Sequence, residues 1–283
     1  MTEATSPLRI AALTALAMLA FAANSLLNRL ALAETAMDAA SFTLVRIASG
    51  ALVLWLLVRR QSTARMAGDW PGAAALFIYA AAFSYAYREL AAGTGALLLF
   101  GTVQLTMMGT GFFRGERLTP VQTAGFVLAL LGLGVLLAPG VTAPPAEAAI
   151  LMALAGLAWG VYSLRGRHAR GTPLAMTAGN FARAVPMAVG LSMAAAGQAR
   201  IDPSGMMYAV LSGALASGVG YAIWYSALRG LSATRAASVQ LSVPVIAALG
   251  GALLLSETLT LRLLLASIAT LGGIALVILA RRN

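Results

Sequence analysis

The sequence lacks cysteine altogether and has a single histidine, His168, so neither a disulfide framework nor thiol chemistry is available to it. Charge is scarce too. Only 10% of the 283 residues are charged, against roughly a quarter in a soluble chain. All nineteen basic residues are arginine, and nine residues are acidic, which leaves a net charge of +10. The arginines form no cluster on a soluble module, so no nucleic-acid partner is expected, and they read as topology signals. The nine acids (Glu3, Glu34, Asp38, Asp69, Glu89, Glu116, Glu147, Asp202 and Glu257) all fall in loops or at helix ends. With His168 also in a loop, there is no metal-ligand cluster and no histidine within reach of a membrane serine. No enzyme activity, metal or cofactor is therefore expected. A proton-coupled pump normally carries an acid or histidine at membrane depth. None is expected here, so transport without proton coupling is the simpler expectation.

What the chain has is apolar length. Hydrophobic residues make up 60% of it, and runs of membrane-spanning length recur. The expectation is ten helices, at about 9–32, 39–58, 72–90, 93–113, 120–138, 146–164, 174–196, 204–229, 232–255 and 261–280. Ser6-Pro7, Asp69 with Pro71, Thr119-Pro120, Thr172-Pro173 and Asp202-Pro203 each pair an N-cap candidate with an early proline. Pro139-Gly140 and Pro144-Pro145 form a link at mid-chain.

The chain repeats itself. Leu90–Thr119 aligns with Leu231–Thr260 without a gap, with 7 identities in 30 positions, including the paired Glu116-x-Leu-Thr and Glu257-x-Leu-Thr endings. Leu13–Arg29 aligns with Leu151–Arg167, with nine identities in 17 positions. A copied segment argues for a true first helix rather than a signal peptide. Residues 1–140 and 145–283 thus read as two repeats of five helices. With the N-terminus inside, thirteen arginines fall inside and four (Arg29, Arg88, Arg200 and Arg262) outside, so both termini are expected to be cytoplasmic. Five helices per repeat is an odd number, so the second repeat enters from the opposite side. Inverted repeats are an architecture of alternating-access transporters, with the site near the midplane.

Four sets of residues are candidates for that site. Phe21, Asn24, Ser25 and Asn28 share one face of the first helix, and Trp159, Tyr162, Ser163 and Gly166 repeat that face in the sixth. Polar groups facing lipid are costly, so these faces should point inward, although helix–helix hydrogen bonding would also account for Asn and Ser. Ser217, Tyr221, Trp224 and Leu228 stripe the eighth helix, with Tyr225 beside them, and Tyr79 and Phe83 lie in the corresponding third. The third set is built on Pro244, which cannot donate a backbone hydrogen bond and so breaks the ninth helix. Gln240, Pro244, Ala247 and Gly251 share its face, and Gln104 is the polar candidate of the fourth helix. The fourth set is Arg46 and Arg183, which occupy matching places in the two halves. They could attract a substrate carboxylate or latch a gate, or they could snorkel or cap a helix.

In Trp159-Gly160, Arg183, Tyr225-Ser226-Ala227-Leu228, Pro244 and Ser256-Glu257 the chain resembles the drug/metabolite transporter superfamily, EamA type. It is most similar to the YddG branch, exporters of aromatic and other amino acids. The first half departs from that pattern: it has Phe21-Ala22 in place of Trp159-Gly160, and no proline matching Pro244. The resemblance implies an all-α membrane protein of the bacterial inner membrane, with helices 1 to 4 and 6 to 9 around a central cavity. It implies export of a small zwitterionic amino acid, for which aromatic walls suit both ammonium and ring. Efflux of another metabolite or drug is the alternative within transport, and a non-transporting scaffold the alternative outside it. The lipid bilayer is the one macroscopic partner expected. The oligomeric state is left open, and a monomer is compatible.

Overall fold

The computed structural model describes residues 7–60, 66–113, 115, 117–166, 172–228, 230–231 and 233–280. Glu3, Ser6, Arg65, Arg114, Glu116, Arg167, His168, Arg170, Arg229, Arg281 and Arg282, which entered the readings above, lie outside the described residues. Among the described residues the chain is all helix, with no strand. The rods are α1 (Pro7–Glu34), α2 (Ala39–Arg59), α3 (Trp70–Ala86), α4 (Ala92–Phe113), α5 (Pro120–Leu137), α6 (Ala146–Gly166), α7 (Pro173–Ala194), α8 (Pro203–Leu228), α9 (Ala233–Gln240, then Ser242–Leu254) and α10 (Leu261–Ala280). Eight of them are long and apolar enough to cross a membrane. The other two are α3, of 17 residues, and α7, which carries Asn180 and Arg183. The protein is a multi-pass membrane protein.

Short-range chemistry sets the helix starts. Asp69 accepts from the Gly72 amide, Thr172 from Ala175 and Asp202 from Gly205, each beside an early proline. Thr119 forms a full capping box with Gln122. Asp38 also caps α2, accepting from Ala40 and Ser41. The Gly72 amide, with Arg165 beside it, holds the Asp69 carboxyl below the usual carboxylate range. Two irregularities interrupt the rods. The middle of α8, Leu211–Val219, winds as a wider π-helix. In α9 the break falls at Leu241, three residues before Pro244. Proline's ring crowds the turn that precedes it, and here Leu241 donates to the Ser238 carbonyl while the Ser242 hydroxyl takes that of Val239.

Large apolar side chains such as Leu52, Leu131, Ile150 and Ile268 cover the outside. That surface suits lipid. Inside, the helices of one half pack mainly on those of the other. α1 packs on α8 and α9, and α6 on α3 and α4. α2 lies on α7 and α8, α7 lies on α2 and α3, and α5 pairs with α10 to one side. Replacing each of α1 to α5 by the helix five later leaves these main pairs unchanged. The connections obey the same exchange. The Ala67 amide donates to Ala175 at the head of α7 (3.1 Å), and the Asp38 amide before α2 donates to Arg200 (3.1 Å). The exchange is incomplete at α4, which also packs on α1 and α10, whereas α9 makes no comparable packing with α6 or α5.

Candidate functional site

A polar knot lies where α1, α2, α3 and α8 meet. The Ser212 hydroxyl, in the π stretch of α8, donates to Asn24 Oδ1 at 2.6 Å. Asn28 Nδ2 donates to Ser212 (3.2 Å) and to the Asn24 carbonyl (2.7 Å), and Ser84 reaches Asn28 Oδ1 at 3.4 Å. Asn24, Asn28, Ser84 and Ser212 are all buried. Their polar atoms are met by one another and, for Ser84, by the Ala80 carbonyl (2.9 Å), as burial requires.

Arg46 of α2 sits beside this knot and is 2% exposed. Its guanidinium carbon lies 5.2 Å from the Tyr79 ring centre and 5.0 Å from that of Phe83. Nη2 donates to the Tyr79 hydroxyl at 2.9 Å, and Asn24 Nδ2 approaches the same oxygen at 3.4 Å. Among the described residues Nη1 is buried with no partner, and so is the Ser217 hydroxyl of α8. Arg46 is in no ion pair among the described residues. A desolvated cation–π contact contributes on the order of 2 kcal/mol, and burying an unpaired charge costs several. The π stretch of α8 comes this close to α2 because residue 213 is glycine. A side chain there would strike the Arg46 carbonyl and the Ser49 hydroxyl.

Apart from Tyr225, whose hydroxyl meets that of Thr177 at 2.8 Å, the expected aromatic residues form one connected set. Tyr79 touches Phe83 (5.4 Å between ring centres) and Trp159 (4.7 Å). Trp159 stacks on Tyr162 (5.2 Å) and Tyr221 (5.5 Å), and Phe21 meets Tyr221 (5.8 Å) and Trp224 (5.9 Å). The rings come from α1, α3, α6 and α8, so the two halves meet here. Phe181 of α7 joins at Tyr221, and Tyr87 joins at Phe83. Neither was singled out from the sequence. Tyr87 stands at a helix end, where aromatics normally belong to the interface, and Phe181 has only Thr177 at helical spacing to mark its face.

Other candidates lie apart from this set. Ser163 is half-buried and bonds back to the Trp159 carbonyl. Gln104 is buried on α4, and Gln240 is half-buried at the last residue before the α9 break. Pro244 packs inward with Ala247 and Gly251. Arg183 is half-buried and donates through Nη1 to the carbonyls of Ala67 (2.8 Å) and Gly179 (3.0 Å). It thereby ties the connection before α3 to α7.

The two ends of the bundle differ. At the end where α1 and α9 finish, Arg29 pairs with Glu257 at 3.1 Å and also donates to the carbonyls of Tyr87 and Arg88. The other Glu257 oxygen accepts from the Ala92 amide at 2.8 Å. Ser256, with φ 54°, turns the chain so that the carboxylate reaches back over the end of α9. At the opposite end a hollow of about 800 Å³ opens between the starts of α1 and α9, lined by Ile10, Thr14, Met18, Val239, Ser242 and Ile246 among others. Met18 is one turn from Phe21.

A buried polar-aromatic centre, shared by two interleaved halves, is an arrangement suited to passing a small molecule through a membrane. Comparison with known proteins gives the same class. The model of the EamA-like transporter family matches residues 146–279. A Pseudomonas aeruginosa protein, described only as uncharacterized, is 61% identical over 271 residues, covering 95% of this chain and 94% of its own length. The chain belongs to the EamA-like transporter family. A crystal structure 19% identical to this EamA-like chain superposes on it with a TM-score of 0.67, covering 96% of this chain and 97% of that one. At that identity the likeness is one of fold.

Proposed function

We propose that this EamA-like protein exports small amino acids, aromatic ones included, across the bacterial inner membrane by alternating access, as the YddG branch does. In this reading the chain crosses the membrane ten times, as two inverted five-helix repeats over residues 1–140 and 145–283, with both termini cytoplasmic. The exchange relation among the helix pairs supports the repeat. The observation that carries the substrate class is Arg46, a buried cation with an unpartnered Nη1, set against Tyr79 and Phe83. A substrate carboxylate completes it. The rings of Tyr79, Trp159 and Tyr221 then offer faces to an ammonium or an aromatic side chain. Phe21, Asn24, Phe83, Tyr162, Ser163, Trp224, Gln104 and Gln240 are the further lining residues, and Pro244 gives α9 a point of flexure. No described acid lies mid-span, so the carrier equilibrates its substrate without moving protons.

A second reading follows from the same centre. Among the described residues Arg46 has no acidic counterpart to receive an ammonium, which favours a small carboxylic acid without an amine. Counterflow in proteoliposomes against labelled amino acids and their deaminated acids separates the two. Exchange of amino acids is the expected result. A folded protein that exchanges only the acids replaces the first reading with the second, and one that exchanges neither overturns both.

A further inference from the structure

We infer that the Arg46 centre is a binding site for a small inorganic anion of the chloride type, which occupies the carrier when no substrate carboxylate is present. The inference rests on the proposed role of Arg46 in carboxylate binding and concerns the part of the cycle in which that carboxylate is gone.

The donors decide the sign of the ligand. Arginine has N–H donors and no acceptor, so the 2.9 Å contact fixes Tyr79 oxygen as the acceptor of Arg46 Nη2. Asn24 Nδ2 supplies the same oxygen with a second donor at 3.4 Å. The phenol's own proton is then free to donate. Arg46 Nη1 is a second donor without a partner, at a side chain that is 2% exposed. Among the described residues the centre thus offers donors from two adjoining side chains and no acceptor to match them. Water could accept from Nη1 but would not neutralise the guanidinium, and a charge in an apolar interior needs a counter-charge. The described carboxylates cannot supply it: Glu257 is engaged with Arg29 and Ala92, Asp69 with Arg165 and Gly72, Asp38 with the head of α2, and Asp202 with Gly205. Glu34, Glu89 and Glu147 lie at helix ends, in the last turn of α1, just beyond α3 and in the first turn of α6. The rings of Tyr79 and Phe83 lie 5.2 and 5.0 Å from the guanidinium carbon, so the centre suits a compact anion rather than a hydrated one.

The test uses the full-length protein purified in detergent, with chloride replaced by gluconate at constant ionic strength and pH. Two measurements are made, chloride-dependent thermal unfolding without amino acid, and amino-acid affinity at several chloride concentrations. Chloride is expected to raise the unfolding midpoint saturably where gluconate does not. At about five times its own dissociation constant it should weaken the apparent amino-acid affinity about six-fold by competition. Tyr79→Phe keeps the ring, removes one donor, and should weaken the chloride effect. Arg46→Met should abolish it. The competition in the unmodified protein stands even where a variant fails to fold. Equal midpoints and equal affinities in chloride and gluconate overturn the inference while leaving carboxylate binding by Arg46 intact. A saturable chloride effect with no amino-acid binding would instead uphold the anion site and remove the proposed substrate.

Discussion

Arg46 and Arg183 are the same residue type at matching places in the two halves, yet their surroundings make them different objects. The Arg183 guanidinium ends on two backbone carbonyls, those of Ala67 and Gly179, and holds a connection in place. The Arg46 guanidinium ends on a phenol and two ring faces, with Nη1 unmet. A half-buried cation tied through Nη1 to carbonyls of the chain is part of the scaffold. One whose donors exceed what the chain supplies is a place for a ligand. Repetition of a sequence therefore does not repeat its chemistry. In the proposed reading one half keeps the charge for function and the other uses it for architecture.

The sharpest break of this comparison is topological. If the repeats are inverted, the two arginines lie in opposite leaflets. Cysteine introduced at Ala143 should then react with a membrane-impermeant reagent on intact cells, and cysteine at Met66 should not. The contrast is all-or-none: the opposite pattern reverses the orientation, and reaction at both positions or at neither removes the inverted arrangement. Next in size is loss of the charges themselves. Arg46→Gln removes a charge-assisted contact of about 1.5–3 kcal/mol and should lower amino-acid counterflow roughly 10- to 100-fold. Arg183→Gln should leave counterflow within about three-fold and instead cost about 1–2 kcal/mol of thermal stability. Equal losses of transport in both variants would erase the distinction.

Smaller effects sharpen it. Trp159 joins Tyr79, Tyr162 and Tyr221 in one stack. Trp159→Ala removes ring contacts worth about 0.5–1.5 kcal/mol each. It should lower counterflow about 10-fold at unchanged expression, and unchanged transport would make the stack mere packing. The smallest effect concerns the matched turns after α4 and α9. Gly115 and Ser256 are equivalent in the repeat and share a left-handed backbone, φ 89° and 54°. Ser256→Gly should change stability by less than about 1 kcal/mol, because relief of the left-handed strain and the looser unfolded chain oppose each other. Gly115→Ala should destabilise by about 1 kcal/mol.

Much of this was legible in the sequence because it depends on neighbours a few residues away. The caps at Asp69, Thr119, Thr172 and Asp202 need only a side chain and an amide three positions on. The face of Phe21, Asn24 and Asn28 needs only the helical period, and so does the stripe of Tyr221 and Trp224. What escaped depends on distant partners or on departures from that period. The π stretch of α8 carries Ser212 to Asn24 and Asn28, a pairing that a regular helical count does not suggest. The break in α9 falls at Leu241 because the proline acts on the turn before it. Arg46 and Arg183 could not be told apart because the difference lies in Tyr79 and Phe83 for one and Ala67 for the other. The Arg29–Glu257 pair joins the ends of α1 and α9, far apart along the chain.

The most direct test of the account asks what part of the substrate Arg46 reads. Counterflow of one labelled amino acid is competed with its carboxamide, which keeps the amine and side chain but lacks the negative charge. The account predicts that the unlabelled amino acid competes and the amide does not, and that the difference vanishes in Arg46→Gln. An amide that competes as well as the amino acid in the unmodified protein would contradict it.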